Sequence, residues 1–131
     1  MTTFVDTSAL YAIVDGDDSE HERAGATFDQ LVDDVALVTH NYVTVETVAL
    51  VHRRFGAAAV RLLVDDILPV LKTTWVDEGI HAAATAALLA AEGSGVSLVD
   101  RVSFEVMRRR GIVEAFAFDE DFSRQGFRVV P

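Results

Sequence analysis

Four acidic side chains stand where a folding chain has little ordinary use for a carboxylate. Asp6 follows the apolar pair Phe4 and Val5 and precedes two hydroxyl residues, Thr7 and Ser8, while Asp119 closes the apolar run "AFAF". Glu46 has Tyr42, Val43, Ala49 and Leu50 one helical turn away, and Asp100 has Val96, Ser97, Ser103 and Phe104 at the same spacings. Each has a plain reading on its own. Asp6 and Asp119 fit as helix N-caps, Asp100 fits the positive end of a helix, and Glu46 could reach solvent or pair with Arg53 or Arg54. Together they share one physical justification, a divalent cation held by oxygen ligands, because an unpaired carboxylate on an apolar face is strongly unfavourable. Mg2+ and Mn2+ prefer carboxylates and water. Such a cation lowers the pKa of a bound water and clamps the oxygens of a phosphodiester during in-line displacement, so hydrolysis of a nucleic-acid backbone is the matching chemistry. The histidines, His21, His40, His52 and His81, show no paired zinc-ligand spacing and are expected at surface or helix-edge positions.

The elements that must carry these acids alternate along the chain. Residues 3–6 read as a strand, and helical spacing follows to about Val14; a helix at 19–34, with Ser19 as its cap, sets Ala24, Phe28 and Leu31 on one face. The run at 35–39 reads as a buried strand, 41–55 as a helix ended by Gly56, and 57–67 as a helix closed by Pro69. A strand at 71–76, an Ala-rich helix at 77–92 and a helix at 97–110 ended by Gly111 come next. The strand at 113–118 leads to a short helix opened by Asp119, and 127–130 forms the last strand. Alternation of this kind predicts a single domain over 1–131, a three-layer α/β/α fold with a mostly parallel central sheet. In such sheets the site lies beyond the carboxyl ends of the strands, so Asp6 and Asp119 are expected to face one crevice.

Composition narrows the function classes. The chain has 131 residues, half of them hydrophobic, and no cysteine, so disulfides and thiolate metal ligands are excluded. The N-terminus lacks an export signal, and the small-apolar stretch "AAATAALLAA" falls far short of the roughly 20 residues a membrane crossing needs; a cytoplasmic protein with no membrane partner is expected. The formal net charge of −10 argues against a broad basic surface for gripping nucleic acid, but not against a nucleic-acid enzyme. Carboxylates converging on one site are a local cation-binding cluster, and a bound metal inverts the field that a phosphate meets. Ten of the eleven basic residues are arginine, with clusters at Arg53–Arg54 and Arg108–Arg110. The guanidinium fork suits phosphate, although each cluster is equally a solvated helix end with favourable dipole charge.

"FVDTSAL", "TVE" ending in Glu46, "SLVD" ending in Asp100 and "AFAFDEDFSRQGF" at 115–127 resemble, over essentially the whole chain, the PIN-domain nucleases and in particular the VapC toxins of bacterial toxin–antitoxin pairs. The resemblance implies an Mg2+- or Mn2+-dependent endoribonuclease, a homodimer, silenced by a VapB-like antitoxin whose C-terminal segment enters the active-site groove. Asp6, Glu46, Asp100 and Asp119 fall on the family's acidic positions, Thr7 where a hydroxyl supports the site, and Ser8 in the second half of the same motif. Asp121 is a further acid at a variable position, with solvent exposure its plainer expectation, and Arg53 and Arg54 fall in a region used for dimer or antitoxin contacts. Asp6, Asp100 and Asp119 would then hold the metal directly or through water, and Glu46 would complete the metal cluster and orient or deprotonate the attacking water. A phospho-acceptor receiver domain fits poorly, because the only lysine, Lys72, lies mid-chain, and a haloacid-dehalogenase-type phosphatase fits poorly because Ser8 stands where its second Asp belongs. The competing reading from another class is a catalytically inactive PIN-like binding module working through a protein or RNA partner. Retention of all four acids distinguishes the two.

Overall fold

The computed structural model describes residues Met1–Pro131. Thr2–Val5 forms β1, and the chain then alternates: α1 Thr7–Val14, α2 His21–Asp34, β2 Ala36–His40, α3 Asn41–Phe55, α4 Ala57–Leu62, β3 Lys72–Thr74, α5 Glu78–Ala90, α6 Leu98–Arg110, β4 Glu114–Phe116, α7 Asp121–Arg124 and β5 Arg128–Val130. All four strand pairings are parallel, in the order β3-β2-β1-β4-β5. From β1 the chain steps outward to β3 and then crosses back to the other side of β1 to enter β4. With right-handed crossovers the outward steps place α1–α4 on one face and the return places α5 and α6 on the other. The strand order therefore reverses between β1 and β4, and a crevice opens at their carboxyl ends, where Asp6 and Asp119 follow.

Phe4, in the middle of β1, stacks on His40 (ring centroids 5.5 Å apart) and Phe122 (6.1 Å), and Phe104 of α6 meets Phe122 edge-on at 5.1 Å. All four side chains are fully or almost fully buried. A stack of this size supplies several kcal/mol of apolar burial and locks α6 and α7 to the sheet.

Several boundaries differ from the sequence expectation for local physical reasons. β4 is shorter because the Phe118 N–H leaves the ladder to donate to Ser8 Oγ (2.9 Å), and β3 is shorter because the Val76 N–H donates to Asn41 Oδ1 (2.7 Å). Asp119 does not open α7. Its Oδ1 accepts from the Asp121 N–H (2.9 Å) in a turn, and the helix starts two residues later. Ser19 does not cap α2, because Asp18 takes the Glu20 N–H instead (2.8 Å). Beyond α4, Leu63–Ile67 widens into a π-helical turn and Pro69 sits inside the 3-10 turn Leu68–Val70 rather than closing an α-helix.

The sequence expectation for the histidines fails at His40, which has no solvent-exposed surface. It caps α3 by accepting the Val43 N–H at Nδ1 (3.2 Å), so Nε2 carries the proton and donates to Ser103 Oγ (2.8 Å), whose hydroxyl donates to the Val99 carbonyl (3.0 Å). This chain ties the carboxyl end of β2 to the first turns of α6, which carry Asp100. Burial pushes the His40 pKa down to about 4 from its ordinary 6.5. A depressed histidine pKa contributes stability above pH 6.5 that is lost as the pH falls through about 4. His40→Gln, which keeps a side-chain hydrogen-bonding group but does not titrate, is expected to flatten the acid limb of the urea-derived stability curve between those values. His40→Ala is expected to lose on the order of 3 kcal/mol at pH 7. An acid limb unchanged in the glutamine variant would remove His40 as its cause.

Candidate metal centre and active site

Asp6 follows β1 with an extended backbone (φ −92°, ψ 160°) and is the N-cap of α1. Its Oδ2 accepts from both the Ser8 N–H (3.1 Å) and the Ser8 hydroxyl (2.7 Å). Oδ1 is buried and has no partner. The carboxylate is thus a cap on one oxygen and free on the other. Asp100 sits in the first turn of α6, held by the bond from its N–H to Ser97 Oγ (3.1 Å), and Asp119 is fixed by the turn in which it accepts from Asp121. One oxygen from each of Asp6, Asp100 and Asp119 lies within 4.8 Å of the others.

No lysine, arginine or histidine nitrogen lies within 4.0 Å of these three carboxylates, so no protein cation balances them. Burial, reinforced by the charge of Asp119, pushes Asp6 up to about 6, against the opposing bonds from Ser8. Burial pushes Asp100 up to about 8, with the charges of Asp6 and Asp119 and a hydrogen bond to Asp119 adding to it. Such a crevice holds protons in place of a missing positive charge. An acceptor-only set with one orphaned, buried oxygen and no nitrogen or sulfur donor fits a hard divalent cation of the Mg2+ or Mn2+ type.

Asp6, Thr7, Ser8, Tyr11, Glu46, Leu50, Ser97, Asp100 and Asp119 line one cleft of about 340 Å3. Glu46 faces it from α3, but it is exposed and lies outside the group of three close carboxylates. The apolar neighbours around Glu46 misstate its surroundings, because α3 buries the row Val43, Thr47 and Val51, and Glu46 projects off that row into open space. Thr7 is nearly buried, its Oγ1 accepting from Thr47 Oγ1 (3.3 Å). Ser8 does not face the cation position with a free hydroxyl. It donates to Asp6 and accepts from Phe118, which ties the carboxyl ends of β1 and β4 together. Asp121 is only about 20 % exposed and pairs with Arg124 (3.1 Å), so the expectation of a solvated acid holds only in part; its charge adds to the upward pressure on Asp100. Sequence reasoning missed Tyr11 and Ser97 as cleft residues, and His40 and Ser103 behind α6. Tyr11 carried a usable signal, standing three and four residues after the hydroxyl pair on one face of α1.

Residues 3–128 match the family model of the PIN domain. The chain is 36 % identical over 128 residues to the 23S rRNA-specific endonuclease VapC20 of Mycobacterium tuberculosis, covering 95 % of this chain and 94 % of the relative. The crystal structure of that organism's VapC20, described as a Sarcin-Ricin loop cleaving toxin, superposes with a TM-score of 0.88 at 33 % identity over the whole of both chains. VapBC2 from Rickettsia felis, solved bound to a DNA fragment from its promoter, shares the fold at a TM-score of 0.74 and 11 % identity, over 98 % of this chain and 97 % of that one.

The raised pKa of Asp100 fixes the sign of a stability effect. The folded chain keeps this proton up to about pH 8 whereas the unfolded chain releases it near 3.8, so the stability is present below 3.8 and is lost as the pH rises through about 8. In EDTA at pH 8, Asp100→Asn is expected to be more stable than the parent by on the order of 2 kcal/mol, and the gain should vanish by pH 4. Saturating Mn2+ should reverse the order at pH 8. Urea melts of both proteins at the two pH values check this; an asparagine variant no more stable than the parent at pH 8 in EDTA contradicts it.

Proposed function

The chain belongs to the PIN-domain family, and from that premise we propose that it is a metal-dependent endoribonuclease, the toxin of a type II toxin–antitoxin pair. The observation that carries the proposal is the trio Asp6, Asp100 and Asp119, converging within 4.8 Å with one buried oxygen left without a partner. A binding module has no physical need for such an arrangement, which leaves the inactive reading without support. The full-length similarity to an enzyme named for its action on 23S rRNA makes ribosomal RNA the substrate of choice. The nuclease unit is the whole span 1–131, and a VapB-like antitoxin and a second copy of the chain are its partners. No helix is long and apolar enough to cross a membrane, and a cytoplasmic location goes with the proposed action on ribosomal RNA.

Asp6 Oδ1, Asp100 and Asp119 would hold Mg2+ or Mn2+. When bound, the cation supplies the charge that acidifies a water and steadies the phosphodiester oxygens. The protein's own residues do the remaining work. Ser8 keeps Asp6 Oδ2 occupied and so presents Oδ1 to the crevice. Asp100 gives up its proton on loading, which couples affinity to pH. Glu46, exposed in the lining of the same cleft, orients the attacking water and takes its proton. Thr7 lines the cleft beside Asp6, where its hydroxyl can donate to a carboxylate or a phosphate oxygen. Asp121 keeps the field at Asp100 negative and favours cation uptake.

Total RNA incubated with the purified protein and Mn2+ or Mg2+ is expected to yield discrete fragments that disappear with EDTA. Asp6→Asn and Asp100→Asn should each cut the rate by more than about 100-fold, the upper range for losing merely an outer-shell partner of a metal. Glu46→Gln should lower kcat by about 100-fold while calorimetric Mn2+ binding persists. Cleavage that survives EDTA or the Asp6→Asn substitution would falsify the metal-centre reading.

A further inference from the structure

The acidic cleft poses a problem for a polyanionic substrate, since the chain carries a net charge of −10 and the cleft walls add Glu46 to three close carboxylates. Phosphates flanking the cut must find cations elsewhere. Most of the arginines are engaged by the fold: Arg109, Arg124 and Arg128 are ion-paired, Arg108 bonds Gln125 and lies over Phe104 and Phe127, and Arg110 bonds Thr74. Arg54 is different. It is exposed, has no acid within 4.0 Å and makes no side-chain hydrogen bond, and its guanidinium lies 5.8 Å from the centre of the Tyr11 ring.

Tyr11 is itself a wall of the acidic cleft, so Arg54 is continuous with the site. Helical spacing gives the same result independently. Glu46, Leu50 and Arg54 fall at i, i+4 and i+8 on α3, one row on one face, and eight residues of helix span about 12 Å. The row starts at a carboxylate in the cleft, passes an apolar residue that also lines it, and ends at an uncompensated cation. On the facing helix, Tyr11 presents its ring to this row and packs against Phe55 (5.9 Å between centroids), which is itself partly exposed. Past the turn at Gly56, a separate open cleft of about 310 Å3 is lined by His52, Arg61 and the carboxylate Asp65 together with small apolar side chains, so it offers a phosphate no net cation comparable to Arg54.

We infer that the groove between α1 and α3 is a track for the RNA strand beside the cleft, in which a nucleobase stacks on Tyr11 and an adjacent phosphate meets Arg54. This rests on the endoribonuclease reading above. Aromatic faces alternating with unpaired guanidinium groups are the chemistry that holds single-stranded nucleic acid: stacking tolerates any base, and the arginine fork takes a phosphate oxygen pair. The substrate segment is therefore unpaired RNA, a loop or splayed strand, because a base inside a duplex cannot reach a ring in a groove wall. An acidic protein would achieve on this track what a basic protein achieves over its whole surface.

Steady-state cleavage of the RNA fragment cut by the parent protein tests the track, with Arg54→Gln, Arg54→Lys and Tyr11→Leu compared at several salt concentrations. Arg54→Gln should raise KM about tenfold with kcat within about twofold, and should reduce the slope of log kcat/KM against log salt by about 0.7, the value for one lost single-strand phosphate contact. Arg54→Lys should restore most of the slope. Tyr11→Leu should raise KM by a similar factor with the salt slope unchanged, because stacking releases no counterions. Calorimetric Mn2+ affinity of Arg54→Gln should match the parent's. If the parent cuts RNA and Arg54→Gln leaves KM and slope unaltered, the track is overturned while the nuclease stands. If Arg54→Gln instead loses only antitoxin binding, the groove is a protein-docking surface and the track is likewise overturned. If the parent shows no metal-dependent cleavage, the nuclease reading falls and the track with it.

Discussion

Three carboxylates held within 4.8 Å of one another in a crevice without a protein cation are the constraint on which the rest of the structure depends. At an effective dielectric of about 20, two unit charges at that distance repel by roughly 3 kcal/mol, and three such pairs oppose a large share of a small domain's net stability. The metal-free chain relieves this by keeping protons, most firmly at Asp100. A divalent cation held here would replace those protons and offset the repulsion. If these residues are the proposed metal centre, stability and function make opposite demands at the same three positions, and the surrounding fold must carry the difference.

It does so through connections made at the carboxyl edge of the sheet. The reversal of strand order between β1 and β4 places two acids there without further design. Ser8 then joins the two strand ends, donating to Asp6 and accepting from Phe118, so the spacing of the first and last acids depends on one hydroxyl. His40 and Ser103 join the end of β2 to α6, one turn beyond Asp100. Both links are fully hydrogen-bonded and at least partly buried, which gives them rigidity in a setting where an unpaired polar group would be unfavourable. Asp6 Oδ1, the one acceptor among the buried side-chain atoms left without a partner, is the atom that a cation would satisfy.

Most of this was legible before the coordinates. Period-two and period-3.6 apolar patterns separate strands from helices, Gly56 and Gly111 end their helices, and the alternation dictates a parallel sheet with its site beyond the strand ends. Asp6 and Asp119 could be brought together on that logic alone, since both follow strands, whereas Asp100 joins them through the face of its helix and the family resemblance. Glu46 was misjudged as inward-facing because helical neighbours show which residues share a face, not whether that face meets the core or an open cleft. His40 was misjudged for a related reason: its role depends on Ser103, 63 positions away, and no local pattern reports a partner at that distance. The short strands are the third case, where side chains such as Ser8 and Asn41 outcompete the backbone ladder.

The distribution of charge completes the account. A strongly basic nuclease gains affinity over its whole surface and pays with indiscriminate binding to any polyanion. Here the net charge is −10, and the arginines at the end of α6, on α7 and on β5 are neutralised by acids or held by fold contacts. Non-specific attraction to RNA is consequently weak, and binding depends on contacts made close to the site. On the proposed track, recognition would rest on shape: a strand would have to be unpaired, and to bend into the groove, before the few uncompensated cations could act on it. On that track such a protein would discriminate among RNAs by their folded form before reading any base, because only a presented loop would bring phosphate, cation and carboxylate crevice into register at once.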